Sequence, residues 1–414
     1  MRRADSTRWR LLAALTTVLA VTGAGALGAP AGAASLTAEK AAGAVVVGDD
    51  VSLVRHTVPP VIDMTGKDYV PLEWELTQDG WATVVLRHKQ TGITTTHPLG
   101  SAGTPRTFRM FWEAFDPVNG GDAPNGDYTW TITAESTDGV PLDFTASGSF
   151  TVVRKAQPHD FNDNGSLDVL QRDHMGVLWR VDTTYYDKSL HLITRQQVGG
   201  GWHIYDTIEA TGNLGGTAVG DLLARDRSGV LWLYQGNGRG NYATRLKVGT
   251  GWQIYDKIKA GSDLTNDGRP DVVALDKAGG LWLYPGTGNA AKPYSPRQKI
   301  GDGWGVYNEL SALGNIAGGA AGDLVARDKN GVLWLYLGKG DGAFAPRTRI
   351  GGGWNAYYQI IAVGDVTEDG RPDLIGLGIY ADYLYRTTGD WRAPFAGGQK
   401  AVLHHVGHGF DHAA

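Results

Sequence analysis

Asp263-Leu-Thr-Asn-Asp-Gly-Arg-Pro-Asp271 and Asp365-Val-Thr-Glu-Asp-Gly-Arg-Pro-Asp373 are two copies of one nine-residue acidic loop, and the residues on either side of them recur as well. A Gly-x-Gly-Trp-x-x-Tyr box appears at Trp202, Trp252, Trp304 and Trp354, and a worn copy is read in Gly407-His-Gly-Phe410. A second box, Leu-Trp-Leu-Tyr in its full form, places tryptophans at 179, 232, 282 and 334, separated by 53, 50 and 52 residues; Asp382-Tyr-Leu-Tyr385 is its degraded fifth copy. A period of this length fits one four-stranded propeller blade, so five such units are predicted between residues 155 and 414.

Each unit reads as a strand after the tryptophan box, then the acidic loop, then a strand such as Asp271-Val-Val-Ala-Leu-Asp276. A turn such as Lys329-Asn-Gly331 leads to the Leu-Trp-Leu-Tyr strand, and a glycine-rich turn leads to the last strand. Both faces of Leu-Trp-Leu-Tyr are apolar, so that strand needs cover on two sides, which stacked neighbours supply. The 60 glycines and 14 tryptophans suit many short strands and tight turns. The expected class is all-β: a β-sandwich followed by a five-bladed β-propeller.

Residues 44–154 follow a different grammar. In Tyr128-Thr-Trp-Thr-Ile-Thr-Ala134, Tyr128, Trp130, Ile132 and Ala134 share one face and the threonines the other, as in a strand with one wet side. Ahead of this region, Arg2, Arg3, Arg8 and Arg10 precede the apolar run Leu11 to Leu27, which ends in small residues near Ala34; residues 1–34 are expected to be a secretory signal peptide. Its removal takes away four Arg and one Asp, moving the net charge from −5 to −8. An acidic mature chain of this kind does not recruit nucleic acid. No other stretch approaches the roughly 18 apolar residues of a membrane span. Cysteine is absent, so packing or a metal ion must do what disulfides do in many exported domains.

Calcium takes about six to eight oxygens, which a short loop supplies by alternating carboxylates around a glycine turn. Numbered from the first Asp, the loops offer oxygens at positions one, three, five and nine, with a backbone carbonyl at seven. The candidate ligands are Asp160, Asn162, Asn164 and Asp168; Asp263, Thr265, Asp267, Arg269 and Asp271; and Asp365, Thr367, Asp369, Arg371 and Asp373. The second and fourth units keep the spacing from Asn213 to Asp221 and from Asn315 to Asp323 but lose the carboxylates between, so no ion is expected there.

Gly261-Ser-Asp-Leu-Thr-Asn-Asp-Gly-Arg-Pro-Asp-Val-Val-Ala274 and Gly364-Asp-Val-Thr-Glu-Asp-Gly-Arg-Pro-Asp-Leu-Ile-Gly376 resemble FG-GAP (integrin-type, VCBS-like) repeats. That resemblance implies a β-propeller whose acidic loops bind calcium, here Ca2+ at the aspartates above. The fivefold count and the Gly-x-Gly-Trp box are also similar, more weakly, to five-bladed tachylectin-type lectins. The stretch Asn125 to Gly139 resembles the immunoglobulin-like domains of exported bacterial proteins, which implies an immunoglobulin-like sandwich over 44–154.

The glycine-rich segments at Gly236 and Gly338 lack the Lys-Ser/Thr ending of a phosphate-binding loop and read as hairpin turns. His404, His405, His408 and His412 read as a solvated closing segment, with a transition-metal site as the competing reading. Repeats with one consensus do not converge unlike residues on one point, as a catalytic centre requires. The expected function is therefore non-enzymatic: a secreted, calcium-binding protein that recognises extracellular or cell-surface glycans. Trp202, Trp252, Trp304 and Trp354 are its candidate ligand-binding residues, since aromatic faces stack on sugars; filling the seams between blades is their competing role. The alternatives are a secreted protein-interaction or regulatory module and a polysaccharide lyase or hydrolase.

Overall fold

The computed structural model describes residues 51–414 apart from 101–105, 116–120, 156, 187–188, 320, 380, 397–400 and 404–409. The proposed signal segment, His404, His405, His408 and the glycines of the worn fifth box lie outside the described residues. Every element longer than a single helical turn among the described residues is a strand.

Alternation of apolar and polar residues builds the first region. In Gly126–Glu135, Tyr128, Trp130, Ile132 and Ala134 are buried while the intervening Thr129 and Thr131 are half-exposed. This strand sits in a five-stranded sheet with Val61–Asp63, Pro141–Val153, Trp81–His88 and Thr94–Gly100. A three-stranded sheet of Leu53–His56, Val70–Leu76 and Thr107–Trp112 faces it. One core joins the two, with Trp74 and Trp130 edge to face at 5.8 Å and Tyr128 stacked on Phe150 at 5.2 Å.

Beyond it come repeated four-stranded antiparallel sheets. Tyr255–Ser262, Asp271–Asp276, Leu281–Tyr284 and Gln298–Gly301 form one, in the strand order read from sequence, and the sheets starting at Tyr205, Tyr307 and Tyr357 repeat it. The tryptophan box is a single 3-10 turn, Trp252–Ile254 in this unit, entered through Gly251 at φ 87°. Glycine meets that left-handed angle without steric cost.

The remaining sheet is assembled from both ends of the repeat region. Asp168–Asp173, Leu178–Tyr186 and Ser189–Gly199 are joined by Phe410–Ala413, which pairs with the first of them. Phe410, read as part of a fifth box, thus begins the strand that completes the first sheet. The innermost strands follow one another in space, and Phe410–Ala413 lies between the first and last of them. His412 Nε2 is 2.7 Å from Ile208 O, and Gln359 bonds the backbone N–H and C=O of Ala413. A small cavity where these strands meet is lined by Glu209, Lys259, Ser311, Ile361 and Ala413. Lys259 Nζ stands 2.9 Å from Glu209 and 3.9 Å from Glu309, so an ionic cluster occupies the axis.

Burial among the inner strands holds His412 near pKa 4, against an ordinary value of 6.5, although its bond to Ile208 O works the other way; Lys259, Arg172 and Asp411 are the charged groups around it. The unfolded chain therefore binds a proton that the folded one refuses between pH 6.5 and 4. Stability from this residue is complete above pH 6.5 and lost as pH falls towards 4. Urea unfolding of His412→Gln at pH 7 and 5 should show a smaller pH dependence than the parent. An unchanged dependence would rule out His412 as a contributor.

Candidate functional site

The ninth residue of each loop is a buried aspartate, and in the second to fifth loops it has the same task. Asp271 Oδ2 accepts the N–H groups of Leu264 and Thr265 at 2.8 and 2.9 Å, and Oδ1 accepts Gly286 N–H at 2.8 Å. Asp323 does the same with Ile316, Ala317 and Gly338, and Asp221 with Gly215 and Gly236. Asp373 accepts from Thr367 and Thr387. Each carboxylate ties the loop to the turn that follows the Leu-Trp-Leu-Tyr strand. That explains why Asp221 and Asp323 persist in loops without other carboxylates.

What closes the rest of the loop differs. In the second and fourth, Asn213 and Asn315 accept from the N–H of Gly216 and Gly318 and donate to the carbonyls of Thr217 and Gly319. A side-chain amide thereby spans the turn. In the first, the guanidinium of Arg180 bonds Asp168 at 2.7 Å and Asp182, with Gln196 at 2.8 Å, all three ionic side chains being almost fully buried. Arg180 is an internal cation. Asp160 accepts from Asn164 and Gly165 and Asn164 from Ser166, while burial pushes Asp160 up to about 7. This loop also docks the N-terminal sandwich, through Asn125 to Asp163 at 2.8 Å and Ser166 to Asp122 at 2.7 Å.

The third and fifth loops have neither a spanning amide nor an arginine buried between two carboxylates, although the half-buried Arg386 bonds Asp369 at 3.0 Å in the fifth. Asp263 and Asp365 accept from positions five and six, and Asp267 and Asp369 from position seven, so the carboxylates face the turn. Arg269 and Arg371 supply the position-seven carbonyls. Thr265 Oγ1 and Thr367 Oγ1 are buried without a hydrogen-bond partner of normal geometry, as is Asn162 Oδ1 at the matching place in the first loop. Asn266 and Glu368 at position four hold φ of 56° and 55°, a left-handed conformation that non-glycine residues adopt rarely. Burial pushes Asp373 up to about 7. Among the described residues no three carboxylate or imidazole side chains converge closely enough to hold a metal by themselves. A cation here would draw on Asp263, Asp267 and Thr265, or Asp365, Asp369 and Thr367, with backbone carbonyl and water oxygens, a donor set that suits calcium.

The box tryptophans fill seams. Trp202, Trp252, Trp304 and Trp354 are each only 6–7% exposed, and their rings lie 4.3–4.8 Å from those of Tyr234, Tyr284, Tyr336 and Tyr385. No indole face is left open for a sugar. Arg172, Arg225 and Arg327 fasten the seams by donating to the carbonyls of the box Trp and Tyr in the next sheet.

The second set of tryptophans carries a recurring outer-face cluster that the sequence reading did not single out. Asp173, Asp226, Asp276 and Asp328 accept the Nε1–H of Trp179, Trp232, Trp282 and Trp334 at 2.7–2.9 Å. Over those indoles lie the guanidinium groups of Arg195, Arg245, Arg297 and Arg347, at 3.7, 4.1, 4.1 and 4.0 Å from the ring centres. The last three also donate to Tyr205, Tyr255 and Tyr307, whose hydroxyls pair with Tyr234, Tyr284 and Tyr336. The signal was present as Arg245-Leu-Lys247, Arg297-Gln-Lys299 and Arg347-Thr-Arg349, a cationic pair in three of the five units.

These features define an all-β protein of repeated four-stranded sheets with an aspartate-anchored turn in each. The sequence model of the FG-GAP-like repeat matches residues 321–376. Among solved structures, the chain is similar to the BP39L lectin from Burkholderia pseudomallei, at 13% identity and TM-score 0.37 over 80% of this chain and 95% of that one. AofleA from Arthrobotrys oligospora is similar at 8% identity and TM-score 0.35, over 69% and 84%. Sqt1 from Saccharomyces cerevisiae is similar at 10% identity and TM-score 0.28, over 79% and 82%. No curated protein sequence matches the chain.

Asp323→Ala should cost about 1–3 kcal/mol, as should Asp271→Ala, because each leaves buried N–H groups without an acceptor. Trp252→Ala should cost about 3–5 kcal/mol by opening a seam. Urea titration measures all three, and a neutral Asp323→Ala would refute the shared role of the ninth residue.

Proposed function

We propose that the chain is an exported, non-enzymatic glycan-binding protein: a five-bladed propeller behind an immunoglobulin-like sandwich, with calcium at two of its turns. The observation that carries this reading is the recurrence of one polar-aromatic cluster on the outer face of successive sheets, while Lys259, Glu209 and Glu309 occupy the axis. Equivalent shallow sites on a rigid frame bind a polymer by avidity. A catalytic channel would need the axis open. With the box tryptophans committed to the seams, the contact surface moves to the outer face.

Calcium would rigidify the third and fifth loops by binding Asp263, Asp267, Asp365 and Asp369 together with Thr265 and Thr367. The first loop has the fully buried Arg180 between two carboxylates in the cationic role, whereas Arg386 reaches only Asp369 and is partly exposed, so the expected stoichiometry is two. Calorimetric titration should give about two equivalents, losing one in Asp267→Ala or Asp369→Ala and none in Asp323→Ala. Absence of any calcium-dependent heat would remove the metal from this reading.

A second reading, a protein-recognition module, is favoured by Trp81 and Phe111 of the sandwich, 53% and 59% exposed. A glycan array probed with and without calcium separates the two. Sugar binding supports the first, and its absence together with a specific protein partner supports the second.

A further inference from the structure

We propose that the outer strands form a row of four anion subsites for an acidic polysaccharide, a glycan chain bearing carboxylate or sulfate groups. This rests on the glycan-binding reading above and names the ligand class and residues. Each subsite is an arginine seated on an indole: Arg195 on Trp179, Arg245 on Trp232, Arg297 on Trp282 and Arg347 on Trp334. Beside three of them stands a second cation on the same sheet face, because Lys247, Lys299 and Arg349 pair directly across from those tryptophans. Gln197 takes that place in the first sheet.

The arrangement exceeds what protection of a sheet edge requires. A charge that deters edge-to-edge pairing works from a side chain loose in water. Here the aspartate fixes the indole, the indole carries the guanidinium, and a tyrosine hydroxyl takes one of its N–H groups. Arg195, Arg297 and Arg347 are nevertheless exposed, as are Lys247, Lys299 and Arg349. Arginine's five N–H donors match a carboxylate or sulfate in a bidentate fork, and a fork held in place loses little entropy when it binds.

Two observations favour a polysaccharide over nucleic acid. The chain as a whole carries net charge −5, which repels a densely charged duplex. The aromatic faces beneath the arginines are already covered, so no platform is left on which bases could stack. Sparse anions spaced along a sugar polymer need only the forks.

The test uses the full mature chain, with polygalacturonate and dextran sulfate as probes, neutral dextran as the control, and affinity electrophoresis or fluorescence anisotropy as the readout. Retention by at least one acidic polymer and not by neutral dextran is expected, weakening with added salt. Arg245→Gln/Arg297→Gln/Arg347→Gln should weaken binding at least about tenfold, whereas single changes should cost about two- to fourfold because the sites act together. Lys247→Gln/Lys299→Gln/Arg349→Gln, which disturbs no buried contact, should cost about threefold and guards against misfolding of the first variant. Replacing the three arginines by lysine keeps the charge and removes the fork, and should leave binding at least about threefold weaker.

Several results would overturn the proposal: no retention by either acidic polymer, a lysine variant equal to the parent, or duplex DNA bound as tightly as the polysaccharides. Unchanged binding of neutral glycans by the glutamine variant, with no acidic-polymer effect, would leave the glycan-binding reading standing and remove this one alone. Loss of every glycan signal would remove both.

Discussion

A buried carboxylate whose partners are chiefly backbone N–H groups is the constraint on which the repeated sheets depend. Asp221, Asp271, Asp323 and Asp373 are fully or almost fully buried, and each joins two turns that the chain visits about fifteen residues apart. Asp168 keeps the first of these bonds, to Phe161, and replaces the second with Arg180. Burying such a group is costly unless it is fully hydrogen-bonded. Once satisfied, it fixes where the second strand begins and where the third ends, and therefore the register of the sheet.

With that strut in place, the remainder of the acidic turn is free to vary. The turn needs something to bridge its opening, and the chain uses a guanidinium in the first copy and an amide in the second and fourth. The third and fifth combine paired carboxylates with a buried threonine hydroxyl beside the ninth-residue aspartate. These are chemically different answers to one requirement, the satisfaction of a tight loop's dipoles. Whether a copy offers a cation anything is thus decided by its neighbours, and the proposed metal belongs only to the third and fifth.

Much of the fold was legible in the sequence because repetition averages out local ambiguity. The order of strands within a unit, the alternation in Gly126–Glu135 and the shared loop spacing all followed from residue pattern. Three features did not. The pairing of Phe410–Ala413 with Asp168–Asp173 joins segments some 240 residues apart, and no local periodicity encodes it. The first loop was read as a metal candidate because Arg180 and Asp182 lie outside the nine-residue motif, on the following strand. The box tryptophans could not be assigned to seam or surface from spacing alone, since an indole serves either; their burial against the tilted tyrosine rings favours the seam. The outer cluster escaped because its arginine and tryptophan meet only across paired strands.

The splicing of the last strand onto the first sheet also sets a timetable. A hydrogen-bonded partner that arrives only with residues 410–413 leaves the inner edge of Asp168–Asp173 exposed while every intervening sheet forms. A chain whose sheets formed in order of synthesis would carry two unpaired rims until then, templates for a neighbouring molecule as much as for each other. Closure of the first sheet and capture by an adjacent copy are then competing fates of the same edge.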